Sequence, residues 1–566
     1  MFTQNTGARM LTGVNRKVGL ALCLLAIALL GVPAPTAHAG IITVMSYTDG
    51  AVNAANCPGV NCRLRDAIAA ANANDSITFS SAGHTIALTQ GELNLNKNLT
   101  IFFIGDVGDI IIDAQSGSRA FNVASGTTAT LDTLFIENGG PAAGFNGGAI
   151  RVASTATLNL NNISIVNSQV MGSGDVGGAI YNLGTLNITN FAFFSGNHTA
   201  SGGQGGGIYN AGTATLNGSV YSGGTRSIWF FGNGTNAALE GGTIYNNGTM
   251  TVTNITINNS IAKSGGAIAN YATLTMQQSL IVGNHANGTL AGQGEGGGIF
   301  NAAASTLIVG DSSISTNTAE NAGGGITTHG GLAMYRSFLA NKAVNAVGAF
   351  GGGIATALGS TMVIVNSTFS SNSAPLDGGG IFNALGSVAD FNNVTISKNT
   401  ADDDNDGDGN GGGMYNGCPT NHLCISRPMT VTLSNSILSG DFDTPNNGGS
   451  GAIDPECAGL PLTSQGYNLI FNTAGCTVNG NSTGNILGQP ALLAPLADNG
   501  GWTPTHALLP LSPAINAGNP APPGSGGNAC ATLDQRAYPR GGAAGRCDMG
   551  AYERVFLLFL PLISRQ

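Results

Sequence analysis

The chain has 566 residues, 88 of them Gly, with 8% charged and 42% hydrophobic side chains and a formal net charge of −10. So little charge beside abundant Thr, Ile, Val and Leu excludes a disordered polyelectrolyte, and glycine without a three-residue period excludes collagen. An acidic balance with no Lys/Arg cluster excludes nucleic acid as a bulk electrostatic partner, which leaves an all-β chain of short strands and tight turns.

At the N-terminus, Arg9, Arg16 and Lys17 precede an apolar run from Val18 to Val32 and the triplet Ala37-His38-Ala39. This is the three-part pattern of a secretory signal peptide, residues 1–39. The run falls short of the roughly 20 residues a membrane helix needs. Cleavage leaves 16 basic and 29 acidic side chains, a net charge of −13. Cys23 departs with the signal. The other eight cysteines, Cys57, Cys62, Cys418, Cys424, Cys457, Cys476, Cys530 and Cys547, fall as four near-neighbour pairs. An even count in an exported chain predicts disulfides, whereas zinc would need tighter pairs with His support. The connectivity stays open among the pairings that eight cysteines permit.

Residues 40–145 are expected to form an N-terminal cap and the first coils of the repeat described next. Within them Leu64, Ala67, Ile68 and Ala71 follow the i, i+3, i+4, i+7 spacing of a short amphipathic helix, with Arg63, Arg65 and Asp66 on its solvated face. A helix there would cover the open end of a stack of strands. The stretch CRLRDAIAAANA (62–73) resembles the CSLREA motif of exported bacterial β-helix proteins.

From 146 to 440 a Gly-Gly-(Ala/Gly/Thr)-(Ile/Met) tetrapeptide recurs ten times, ending first at Ile150 and last at Met414, a mean interval of about 29 residues. Between the glycines lie alternating strands such as TMVIVNSTF, each followed by an Asn: Asn284, Asn317, Asn372 or Asn399. Period-two alternation without a helical period, at this repeat length, predicts a right-handed parallel β-helix of three short strands per coil. In this fold the Gly-Gly step makes the turn through positive φ, the Ile enters the core, and the Asn sits at a turn in the left-handed conformation, stacking on its counterparts. The alternation of GGAI (147–150, 177–180, 265–268) with Phe194–Asn197, Phe230–Asn233, Phe338–Asn341 and Phe369–Asn372 resembles the polymorphic outer-membrane protein repeat, whose chlamydial members are surface-exposed adhesins.

Residues 441–554 lose the glycine period. NILGQPALLAPLADNGGWTPTHALLPLSPAINAG (485–518), DQRAYPR (534–540) and CDMGAYE (547–553) resemble the choice-of-anchor Q domain of exported β-helix proteins. That resemblance implies a surface location rather than a reaction. The apolar tail, residues 555–566, is too short to span a bilayer and reads as a final strand or a docking tail.

Chemistry is sparse. His198 and His285 follow turn asparagines and are expected to be exposed, His329 has no near acidic neighbour in sequence, and His506 is expected to pack. None belongs to a Ser/His/Asp or metal constellation, so no catalytic and no cofactor-binding residue is assigned. The site-like feature is ADDDNDGDGNGGG (401–413). Asp402, Asp404, Asp406 and Gly407 match the DxDxDG opening of a calcium loop, with Gly413 where an EF-hand has Glu. A looser calcium site completed by Asp408 is one reading and a protruding acidic loop the other. The sequence therefore points to an exported, surface-associated, monomeric β-helix rod with an adhesive or structural role, meeting a cell-surface glycan or envelope component without catalysis. The alternative is a secreted polysaccharide lyase or glycoside hydrolase acting on one face.

Overall fold

The computed structural model describes residues 39–220, 226–234, 238–290, 292–345, 348–418, 428–443, 456–541 and 545–555. Residues 1–38, which hold nearly all of the expected signal peptide (1–39), the expected tail after Val555, and Cys424 lie outside the described residues. Strands dominate, and they pair in parallel with residues one coil away, so the architecture is a parallel β-helix.

Thirteen three- or four-residue strands stack into one sheet, and all ten Gly-Gly-x-(Ile/Met) repeats contribute a strand to it. The register is Ile on Ile from Ile150 through Ile381, then Met414 and Cys457, although coil length varies from 24 residues (Ile244 to Ile268) to 43 (Met414 to Cys457). Two earlier strands, Leu93–Leu95 and Phe121–Val123, join the same stack without a glycine marker. Most of the remaining strands form a thirty-stranded sheet that bends within each coil, as at Thr249–Thr253 followed by Ile255–Asn258, and three further pairs stand apart from it. Each coil thus sends a few side chains inward. Ile268, Leu274, Met276 and Ile281 come from one coil, and all are fully buried. One coil cannot enclose such a set, so burial arrives through stacking.

Glycine at the corner answers to two contacts. Gly205 has φ +65°, and a Cβ there would lie 2.4 Å from the Ile208 carbonyl oxygen; on Gly206 it would lie 2.4 Å from the Gly242 carbonyl oxygen of the next coil. The first glycine sets the turn, and the second lets adjacent coils touch.

The predicted asparagine ladder exists and is buried. Asn284 N–H donates to Asn317 Oδ1 at 3.0 Å, Asn317 to Asn341 at 3.1 Å, Asn341 to Asn372 at 2.7 Å and Asn372 to Asn399 at 3.1 Å. The left-handed conformation, however, belongs to the residue before four of these asparagines, Gly283, Thr316, Ser371 and Lys398, while Ala340 before Asn341 stays in its strand. The ladder asparagines must face inward, so the preceding residue absorbs the turn. A second ladder runs from Asn182 through Asn210, Asn246 and Asn270 to Asn301, at 2.7–2.8 Å per step.

At the N-terminal end a helix, α1 (Leu64–Ala70), buries Leu64, Ala67 and Ile68 as its spacing requires. Asp66 is not on a solvated face. It is fully buried, accepting from Asn53 N–H, Asn56 Nδ2 and the Arg63 guanidinium, which holds its carboxyl below the usual range against the effect of burial. Three disulfides join Cys57 to Cys62, Cys457 to Cys476 and Cys530 to Cys547; Cys418 is also disulfide-bonded. No described helix is long and apolar enough to cross a membrane.

Asn372→Ala should remove the acceptor for Asn341 N–H and the donor to the Leu339 carbonyl. The expected loss is about 3 kcal/mol, two buried groups left unsatisfied, read as a lowered denaturation midpoint. Asn187→Ala, which removes an outward-facing Asn187–Asn159 bond, should cost well under 1 kcal/mol.

Candidate functional site

The acidic loop after the Thr400–Ala401 strand is organised by its first carboxylate. Asp402 is fully buried, with φ +52°, and accepts the Asp406 and Gly407 N–H groups at 2.8 and 3.1 Å. Its carboxylate therefore folds the loop. Asp402, Asp404 and Asp406 each place an oxygen within 4.8 Å of the others. Burial and the mutual repulsion of the carboxylates push Asp402 and Asp404 above their ordinary values. Asp408 is not in this trio; its N–H donates to Asp406. Asp403 faces away and pairs with Lys342 at 2.8 Å. Three oxygens at that spacing fit the shell of one calcium ion, whose Ca–O distances are about 2.3–2.6 Å.

A second feature escaped the sequence reading because its members are a full coil apart. On the outer side of the thirteen-stranded sheet, Tyr181, Tyr209 and Tyr245 share one register position. Tyr271 fills the space over Ala269, Phe300 follows, and His329 closes the column, with ring centroids 5.0–6.0 Å apart. Tyr209, Tyr245 and Tyr271 stack face to face, while Tyr181, Phe300 and His329 join the column at tilts of 36–59°. Along the column Tyr271 Oη donates to Glu240 at 2.6 Å, Gln204 Nε2 donates to the other Glu240 oxygen at 3.2 Å, and His329 Nε2 lies 2.7 Å from Glu295. Burial raises the Glu240 carboxyl and, with Glu240 beside it, the Tyr271 phenol. Glu240 and Glu295 stand two coils apart, about 10 Å along the axis, and Tyr271 comes from the coil between. His329 thus has an acidic partner after all, 34 residues away in sequence and a short step away across the coils. His285 likewise meets Glu320 at 3.2 Å, and His198, expected exposed at a turn, is half-buried in a two-residue strand paired with Gln169.

The C-terminal motifs form a clasp over the last coils. Gln535 Oε1 accepts from Thr368, and its Nε2 donates to Thr503 and the Pro504 carbonyl. Arg540 donates to Asn366 at 2.7 Å and lies against Glu553; Arg536 pairs with Asp534 and stacks 3.7 Å over the Tyr552 ring. His506 is buried, linking Ser370 to the Ala494 carbonyl, and burial lowers its pKa. These side chains hold the segment to itself and to the coils. At the opposite end, a cleft of about 350 Å³ is lined by Arg65, Ile68, Leu93, Asn94 and Lys97. Its cations are already held, Arg65 by Asp49 and Lys97 by the Ala71 carbonyl.

Compared with known protein families and with curated proteins, the chain matches none. Among solved structures it is similar to bacteriophage CBA120 tailspike protein 3, at 11% sequence identity and a TM-score of 0.30, over 75% of this chain. It spans 56% of that protein's length.

Arg540→Ala leaves Glu553 and Asp548 without their buried cation. Clasp docking should weaken by about 3–5 kcal/mol, the usual consequence of breaking a buried ion pair, seen as faster proteolysis of residues 490–555. Burial pushes Asp548 up to about 6, so the folded clasp binds a proton that the unfolded chain releases. Clasp stability should fall as pH rises from about 4 through about 6 and stay level above. Trp502 emission in a Trp229→Phe background would follow it.

Proposed function

We propose that the chain is an exported, surface-associated rod with an adhesive or structural role and no catalysis, related to the choice-of-anchor Q group of β-helix proteins. The observation that carries this is how the charges of the described residues are spent. Asp402, Arg65, Asp66, Arg336, Arg536 and Arg540 each serve a neighbouring coil, loop or clasp. A rod needs such side chains to fix register, whereas hydrolysis needs carboxylates poised over a substrate. The ring column supplies the adhesive face: hydroxyl, amide and carboxylate groups repeat at about the 4.8 Å coil spacing, matched to hydrogen bonding along an uncharged glycan. Glu240, Glu295 and the negative net charge disfavour polyanions. Calcium at Asp402, Asp404 and Asp406 belongs to the proposal as a clip that relieves carboxylate repulsion.

The enzymatic reading has its best footing at Glu240 and Glu295, but the Tyr271 hydroxyl is bonded to Glu240 and its ring comes from the coil between them. A glycan array combined with a lyase and hydrolase screen separates the two readings. Binding without turnover, weakened at least tenfold by Tyr209→Ala with Glu240→Gln, is expected; chain cleavage lost in Glu240→Gln or Glu295→Gln would overturn the rod. Millimolar calcium should raise the melting temperature of the wild-type chain, and leave Asp404→Ala/Asp406→Ala unchanged.

A further inference from the structure

The asparagine ladder ends on an acid. Asn399 N–H and Nδ2 both donate to Asp441 Oδ1 at 2.8 Å, so Asp441 occupies the next rung. In the rungs before it, the second side-chain atom is Nδ2, a donor. Asn372 Nδ2 reaches the Leu339 carbonyl at 3.0 Å and Asn399 Oδ1 at 2.7 Å. Asn399 Nδ2 likewise reaches the Phe369 carbonyl at 3.1 Å. In Asp441 that place is taken by Oδ2, and the register aims it at acceptors: the Ile396 carbonyl and whatever stands at the next rung.

What stands there is Glu456. The repeat's third glycine keeps the ladder side chain clear, since a Cβ on Gly413 would lie 2.7 Å from Asp441 Oδ2. One coil on, that position is Glu456, whose backbone carbonyl receives Met414 N–H as a turn glycine's would. The Glu456 carboxylate accepts the Gly440 N–H at 2.9 Å and the Asp441 N–H at 3.4 Å, so it replaces the ladder asparagine that this coil lacks. Both acids are buried, at 4% and 1% exposure, and Asp441 Oδ2 has no hydrogen-bond donor among the described residues. Two carboxylates cannot face one another there while both are charged.

We propose that Asp441 is carried as a neutral carboxylic acid that donates from Oδ2 to Glu456, making the last rung of the ladder a proton-dependent latch. Among the described residues, the groups that the pair bonds or faces are neutral: Asn399, the Gly413 backbone, the Gly440 N–H and the Asn472 N–H. Asp443, two residues on in the Phe442–Asp443 strand, is the nearest acid along the chain and is itself buried. Burial and the Glu456 charge both act to keep the proton on Asp441. The folded rung therefore binds a proton that an opened rung gives up, and the rung loosens as pH rises above the ordinary carboxylate range until that proton is lost.

The test is backbone hydrogen exchange of segment 437–443 in the full-length protein, wild type against Asp441→Asn, from pH 5 to pH 9. Asparagine supplies the donor without taking up a proton. The wild-type opening constant should exceed that of the variant by a ratio that grows with pH, by up to about tenfold per unit, and shrinks toward unity at the acid end. Glu456→Gln keeps the question answerable should Asp441→Asn misfold, because removing the facing charge should flatten the wild-type rise. A ratio that is constant with pH, or an Asp441→Asn rung that opens more readily than wild type at pH 8, overturns the proposal. So does protection of the wild type, but not Asp441→Asn, by calcium alone, since that would put a cation where the proton is assigned.

Discussion

Everything in this molecule depends on how closely one coil sits on the next. Parallel pairing fixes the spacing at about 4.8 Å, and at the corners that distance leaves no room for side chains between the backbones. Gly206 and its equivalents meet that constraint, with a carbonyl of the neighbouring coil where a Cβ would go. Once the corners close, the inward polar atoms of each turn are shut away from water and need partners. The partners available are the same atoms one coil up and one coil down. The asparagine ladders follow from the glycines.

That dependence explains what could be read from the sequence. The glycine repeat, the inward isoleucines and the stacked asparagines are local patterns reproduced in coil after coil, so they survive variation in coil length from 24 to 43 residues. The capping helix was legible because its apolar spacing spans one short segment. Two early coils, at Leu93 and Phe121, were not, because they enter the stack without a glycine corner. The left-handed turn was placed one residue late, on the ladder asparagine instead of on the Ser371 or Lys398 that precedes it.

The functional features divide along the same line. The acidic loop showed itself as a run of aspartates, and the structure brings together the three spaced two apart while turning Asp403 toward Lys342. The ring column did not show, since Tyr181, Tyr209 and Tyr245 are neighbours only after two whole coils have been wound. Glu295 and His329 were invisible for the same reason. A sequence search tuned to the residue one place after each repeated isoleucine would have found the tyrosines. Asp441 and Glu456 lay beyond that, because each breaks the pattern at a different position of its coil.

The clasp has a consequence for how the molecule comes apart. In a solenoid each coil touches its two neighbours, and an end coil held on one side frays first. The C-terminal segment does not obey that rule: its contacts run from the Arg336 carbonyl, met by Thr503, to the Gln465 carbonyl, met by Asn528. It lies across the coils as a splint lies across a fracture, binding them lengthwise. Unwinding is thereby assigned a polarity, beginning from the helix-capped end and travelling toward the splinted one.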